Sequence, residues 1–252
     1  MEDIFSKDNE RVKLWRSLLA NKGRKKEGKF LLESIRGIEE GLIKGFEPEV
    51  LIVREGMVIP EAFRRIETIV FLETGPFNSL CDTENSQGFI GIYPIQPLNM
   101  RLLDKCQHLF YVDGIQDPGN LGTLIRSGGA FNIDGLLLGE GTVDPYNSKV
   151  LRSTMGGIFT FPIFEVTLET IAVLKEKGFE IVASTFNGLP LEEWQPAKPF
   201  VLGIGNENKG LTKEFIALAD REVTIPMVGL ESLNAGVAGS IFMYKNYNPI
   251  NL

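Results

Sequence analysis

The sequence predicts an α/β protein in two parts. A small α/β domain covers 1–94, a larger domain built on a parallel sheet covers 108–252, and 95–107 is the linker. Three observations lead there. After residue 107, continuous apolar strands alternate with helical stretches, the pattern of a parallel sheet covered on both faces. Before residue 94 the strands are short and accompany two helices, a unit long enough to fold alone. Between the two, Pro94 and Pro97 interrupt any regular element.

In the first domain, Val12, Leu14, Trp15, Leu18 and Leu19 give 8–21 the apolar side of a helix, which the turn Asn21-Lys22-Gly23 ends. Ser34 is placed to cap a second helix, whose Ile35, Ile38, Leu42 and Ile43 recur at helical spacing until Gly45. Short strands follow at 50–53, 69–72 and 89–93. In the second domain, strands at 108–112, 135–138, 180–184, 199–204 and 222–226 alternate with helices near 120–131, 147–154, 167–177, 212–219 and 233–245. Ligands of such sheets bind beyond the carboxyl ends of the strands. Three Gly-rich turns lie at that end, and together they are expected to form one site.

Composition removes several alternatives. Two cysteines, Cys81 and Cys106, and one histidine, His108, are too few for a disulfide scaffold or a structural zinc site, so reduced thiols and no metal are expected. No apolar run reaches the roughly 18–20 residues of a membrane span, and the start of the chain lacks a signal pattern. The expectation is a cytoplasmic protein. The net charge of −7 argues against a surface uniformly suited to nucleic acid. Residues 11–29 nevertheless gather Arg11, Lys13, Arg16, Lys22, Arg24, Lys25, Lys26 and Lys29 against the single acid Glu27. A local basic patch grips phosphates whatever the net charge. A solvated helix face accounts for the same run.

The turn after the strand at 199–204 imitates two nucleotide motifs. The third glycine of a dinucleotide fingerprint would fall at Asn208, and a P-loop would need Lys and Ser/Thr where Leu211-Thr212 stand. What remains is a turn open to close backbone approach, with Glu207 on its rim as a site acid or a solvated one. The first turn runs from Asp113 to Ser127. In it Asn120 is a natural helix cap. Arg126, six residues on, is expected on a similar side of the helix, beside Gly128, Gly129 and Ala130. The third stretch, 225–239, leaves a strand, passes Ser232 and Asn234, and enters a helix of small residues. A helix start of that kind lets a backbone or flat ligand come close.

Taken together, Asp117-Pro118-x-Asn120-x-Gly122-x-x-x-Arg126, then Gly205-Asn206-Glu207-x-x-Gly210, then Ile225-Pro226-Met227 with Ser232-Leu233-Asn234, resemble the three motifs of the SpoU/TrmH family. These are RNA ribose 2′-O-methyltransferases of the SPOUT superfamily that use S-adenosylmethionine. The motifs span 108–246 in the family's order. The first domain resembles the family's substrate-binding domain, which is similar to ribosomal protein L30e. Its carrying residues are Arg11-Val12-Lys13, the run from Gly28 to Glu33, Leu80 to Glu84, and Gln87-Gly88. Two departures stand out: Asn208 where Gly is common, and Gly236 where Ser or Ala is common.

The resemblance implies a deep trefoil knot at the C-terminus, a homodimer, and a cofactor held by Gly203, Gly205, Asn206, Ile225, Met227, Ser232, Leu233 and Asn234. It implies a catalytic group of Arg126, Asn120, Glu207, Ser232 and Asn234. Arg126 would act on the 2′-hydroxyl, Asn120 and Ser232 would orient, Asn234 would shape the pocket, and Glu207 would fix Arg126 or the cofactor loop. Arg11, Lys13, Arg24, Lys25, Lys26 and Arg126 are the expected RNA contacts. Ribosomal RNA, 23S in particular, is the expected substrate. Two alternatives stand beside it: a tRNA methyltransferase of the same superfamily, and a non-catalytic RNA-binding or ribosome-assembly factor. His108 has no expected catalytic role.

Overall fold

In the computed structural model, which describes residues 2–4, 6–96, 98–229 and 232–246, the apolar strands and helices form two units. In chain order the first unit holds β1 (Glu2–Ile4), α1 (Glu10–Ser17), α2 (Asn21–Glu27), β2 (Lys29–Leu32) and α3 (Ile35–Ile43). It continues with β3 (Val50–Arg54), β4 (Ile69–Leu72), α4 (Thr74–Asn78) and β5 (Phe89–Pro94). The second unit opens with β6 (His108–Asp113), α5 (Pro118–Ala130) and β7 (Gly135–Leu138). The next helix, α6 (Ser148–Thr154), belongs to the first unit. The chain then completes the second unit with β8 (Ile163–Glu165), α7 (Leu168–Glu176), β9 (Glu180–Pro190), β10 (Phe200–Gly205), α8 (Lys213–Leu218), β11 (Arg221–Thr224) and α9 (Ala235–Lys245).

The division differs from the contiguous one that the sequence suggests. Met1–Pro97 packs with Asp144–Thr160, and Leu98–Val143 packs with Phe161–Leu252. The expected linker 95–107 contains a 3-10 helix, Met100–Lys105, that falls in the second unit.

The first unit's sheet has the order β1-β4-β3-β5-β2, with β5 antiparallel to both its neighbours. Alternation along β2 and β3 splits its core between two faces. Leu31 and Ile52 meet Val12, Trp15 and Leu18 of α1 on one face. Phe30, Leu32, Leu51 and Val53 meet Ile38 and Leu42 of α3 and Leu151 of α6 on the other. Phe159 joins that second face, with its ring 4.9 Å from Tyr93 and 5.3 Å from Phe46.

One expectation here is corrected. Asn21-Lys22-Gly23 does not end a helix; it begins α2, which closes at Gly28 in the left-handed region (φ 62°). The apolar pattern stops at Leu19, so nothing local supports this polar turn. Arg24 does. Its Nε donates to Asp144 Oδ2 at 2.8 Å, and its Nη1 donates to the carbonyls of Leu18 and Leu19 at 2.7 and 2.9 Å.

The second unit's sheet has the order β11-β9-β10-β6-β7-β8, with every neighbouring pair parallel. One face carries α7 and α8 over Leu109, Tyr111, Leu137, Ile181 and Val201. The other carries α9 against β10, and α5 packs along α9. Strand β9 runs past its expected end because Gly188 lets the backbone of Glu222 come close; a Cβ there would lie 2.5 Å from the Glu222 carbonyl carbon. Among the described residues no helix is long and apolar enough to cross a membrane, and no cluster of His, Cys, Asp and Glu could hold a metal ion.

Candidate active site

The first turn leaves β6 and enters α5 through Asp117-Pro118. Asp117, not Asn120, is the cap: its carboxylate accepts from the Asn120 backbone N–H at 2.8 Å, and Pro118 takes the first helical position. The Asn120 side chain, 5% exposed, is thereby free for other work. Its Nδ2 donates to Glu207 Oε1 at 2.7 Å. Glu207 thus anchors on Asn120; of its two expected partners, Arg126 and the cofactor loop, Arg126 has no hydrogen bond to it among the described residues.

Arg126 is exposed and makes no hydrogen bond or ion pair among the described residues. Six helical residues turn through about 240°, so Arg126 and Asn120 cannot share a face. The expected similarity of side is corrected by that geometry. Asn120 faces inward with Leu121 and Leu124, and Arg126 faces out.

The second turn is built by Asn206. Its backbone exchanges hydrogen bonds with Gly210 at 3.0 and 2.9 Å. Its Oδ1 accepts from the backbone of Asn208 and Lys209, and its Nδ2 donates to the Gly114 carbonyl at 2.8 Å. Gly205 is required because a Cβ would lie 2.2 Å from the Gly210 carbonyl carbon. Gly203 has a different reason: the Phe215 ring occupies its side-chain space, 2.4 Å from where a Cβ would be, and stacks on Tyr111 at 4.8 Å. Gly203 is therefore a packing glycine, absent from the cavity wall.

In the third turn Asn234 caps α9, accepting from the Val237 N–H at 3.1 Å, while Ser232 is exposed. The small residues of α9 admit α5. A Cβ on Gly236 would lie 3.2 Å from Asn120 Cα, one on Gly239 would lie 2.2 Å from Leu124 Cδ2, and the Ser240 and Ser127 hydroxyls are 2.7 Å apart.

Between the second and third turns and the end of β9 lies a cavity of about 410 Å³; no residue of the first turn lines it, so the expectation that all three turns form its wall is corrected. Of the expected site residues, Gly205, Asn206, Glu207, Ile225, Met227, Ser232 and Leu233 line it; Gly203, Asn234, Asn120 and Arg126 do not. Its floor is apolar, from Ile204, Ala235, Ala238 and Phe242. One wall went unnoticed in the sequence: Ser184, Thr185 and the 67% exposed Phe186, from β9. The expected strand stops at 184, and nothing in the sequence marks Thr185 or Phe186. His108 lies at the opposite end of β6, stacked on Phe200 at 4.9 Å, and burial lowers its pKa.

The basic run in the first unit is only partly available to a ligand. Arg24 is 5% exposed and all but consumed by Asp144 and two carbonyls, which corrects its expected RNA contact. Lys13 pairs with Glu10 at 2.9 Å and Lys26 with Glu27 at 3.0 Å, both at the surface. Arg11 lies over the Trp15 ring at 4.9 Å, and Lys25 is exposed.

Residues 107–244 match the profile of the SpoU rRNA Methylase family. The chain belongs to that family. Residues 9–91 match an MRM3-like substrate binding domain. A Bacillus subtilis protein named 23S rRNA (guanosine(2553)-2′-O)-methyltransferase RlmP is 31% identical over 247 residues, 97% of this chain and 98% of its own. A Synechocystis protein described as an uncharacterized tRNA/rRNA methyltransferase is 28% identical over 96% of this chain and 92% of its own. The crystal structure of an AdoMet-bound rRNA methyltransferase from Sinorhizobium meliloti matches with a TM-score of 0.84 at 26% identity, covering 96% of each chain.

This SpoU protein is an RNA methyltransferase that uses S-adenosylmethionine. The cavity suits that cofactor. Its volume falls in the range of cofactor sites, roughly 300–1,000 Å³. The apolar floor and the close wall at Gly205 suit a flat adenosine. Glu207 and Lys209 on the same wall offer opposite charges to a zwitterionic amino-acid end.

Proposed function

We propose that this enzyme methylates a ribose 2′-hydroxyl in ribosomal RNA, in the large-subunit 23S class. The full-length likeness to the Bacillus subtilis protein supports both the position and the RNA. The observation that carries the reading is the Asn120–Glu207 hydrogen bond, which ties the first turn to a cavity-lining loop, with Arg126 on the exposed side of α5.

S-adenosylmethionine supplies a methyl group on a positively charged sulfur. The chain's own residues hold and polarise the acceptor. Arg126 carries a guanidinium, a poor base and a good partner for negative charge developing on the 2′ oxygen or standing on the adjacent phosphate. Asn120 and Glu207 set the loop that walls the cavity. Ser232 orients from the rim, and Asn234 shapes the pocket by starting α9.

The first unit takes the RNA, with Arg11, Lys13, Lys25 and Lys26 as its contacts. A deep trefoil knot is part of the proposal, supported by the path from edge strand β11 back to α9, which packs on β10 and α5. So is a homodimer, supported by Val237 and Tyr244, 45% and 66% exposed on α9. The reduced thiols fit a cytoplasmic setting.

The test is transfer of a labelled methyl group onto unmodified 23S rRNA and tRNA transcripts, with the product mapped for 2′-O-methylation. Ribose methylation of 23S rRNA is expected. Arg126→Ala should lose turnover while retaining cofactor binding. Transfer to tRNA alone would replace the substrate, and binding without transfer would favour the assembly-factor alternative.

A further inference from the structure

Loop 206–211 has both its ends on a single residue. At its entrance, Gly205 is the register partner of Asp113 across the β10–β6 pair. At its exit, Asp113 Oδ2 accepts from both the backbone N–H and the hydroxyl of Thr212, at 2.7 and 2.8 Å. Thr212 in turn starts α8, its Oγ1 accepting from the Phe215 N–H at 3.3 Å. Asp113 is 5% exposed while Thr212 is exposed, so both bonds are part-buried. A third tie runs from Asn206 Nδ2 to the carbonyl of Gly114, the next residue after Asp113. The loop held this way carries Glu207, which takes the Asn120 amide.

A buried carboxylate is costly to place and is retained where its donors matter. The loop's own ties are the Asn206–Gly210 bridge and the bonds from the Asn208 and Lys209 N–H groups to Asn206 Oδ1, none of which reaches Thr212. Without the clasp, the exit at Thr212 keeps only the packing of Leu211 and Phe215, and the cavity wall from Glu207 to Lys209 is less firmly placed.

We infer that Asp113 is a positioning residue for methyl transfer, acting through Thr212 to hold loop 206–211 in the conformation that receives S-adenosylmethionine. The inference rests on the reading that the cavity between the second and third turns is the cofactor site. Asp113 does not line the cavity; it sets the wall that does. One carboxylate oxygen takes both donors, so an amide oxygen in the same place would keep them. Asp113→Asn is therefore the conservative change, and Asp113→Leu the disruptive one. On the partner side, Thr212→Ser keeps the hydroxyl and Thr212→Val removes it while leaving the backbone N–H.

The experiment measures Kd for S-adenosylmethionine by calorimetry, Kd for a 23S rRNA transcript by filter binding, and thermal unfolding, on the full chain and the four variants. Loss of a charge-assisted hydrogen bond predicts cofactor binding weakened about tenfold or more in Thr212→Val and Asp113→Leu. Thr212→Ser and Asp113→Asn should recover most of it, with RNA affinity unmoved throughout. Wild-type cofactor affinity in folded Thr212→Val overturns the inference. So does a parallel loss of cofactor and RNA binding, which would mark a general destabilisation. If the unaltered protein itself binds no S-adenosylmethionine, the reading of the cavity fails first and the inference with it.

Discussion

The Asn120 amide donates a 2.7 Å hydrogen bond to the carboxylate of Glu207, 87 residues later in the chain. It joins the helix after β6 to the loop after β10, so neither side chain acts alone. Asn120→Ala and Glu207→Ala should each lower kcat/KM, and the double variant should lose little beyond the worse single one. A coupling of about 1 kcal/mol is expected from a double-mutant cycle on methyl transfer. Strict additivity would separate the two residues.

Gly205→Ala should abolish the shape of the cavity wall. The added Cβ would meet backbone, 2.2 Å from the Gly210 carbonyl carbon and 2.3 Å from the Leu211 nitrogen, and no side-chain rotation can relieve that. Overpacking of this kind costs about 1–3 kcal/mol, or roughly tenfold in cofactor affinity. Calorimetric titration with S-adenosylmethionine checks it. Unchanged affinity would mean that the loop tolerates displacement.

Arg24→Ala should destabilise the first unit by about 3–5 kcal/mol, because it leaves Asp144 Oδ2 and two carbonyls without the Arg24 donors and the buried charge uncompensated. The pair is well buried, with side chains 6% and 13% exposed for Arg24 and Asp144. Lys26→Ala, at the surface, should change stability by about 0.5 kcal/mol or less. Urea denaturation followed by circular dichroism compares the two. Equal midpoints would show that Arg24 is not the support of α2.

Burial pushes the thiols of Cys81 and Cys106 up to about 11. The thiolate is the reactive form, so both should alkylate slowly near neutral pH and faster as pH approaches 11. The fold favours the protonated thiol. This contribution to stability is therefore full below the ordinary thiol value of 9.0 and declines as pH rises toward about 11. Maleimide labelling across pH, read by mass spectrometry, follows each residue. Prompt labelling at pH 7 would contradict the burial.

Strands such as 135–138 are legible because Leu136-Leu137-Leu138 is a continuous apolar run between turn residues, and the structure agrees to the residue. Helix α2 is not legible. Its sequence is polar throughout, and its support is an ion pair with a residue 120 positions away. The same distinction runs through the site. Gly205 and Asn206 announce a tight turn in one dimension. Phe186 meets that turn only because β9 lies beside β10 in the sheet. The sequence marks Asn120 as a cap; the structure gives that role to Asp117, because Pro118 after it takes the first helical position.

The inclusion of Asp144–Thr160 in the first unit bears on how the protein is made. Leu151, Tyr146 and Phe159 complete the same apolar face as Phe30 and Tyr93, and Asp144 neutralises the buried Arg24. During synthesis these late residues leave the ribosome well past the midpoint of the chain, after β6, α5 and β7. The amino-terminal unit therefore waits, incomplete, while the start of the other is already emerging, and a nascent chain arrested before residue 144 should be a substrate for chaperones rather than a finished RNA-binding module.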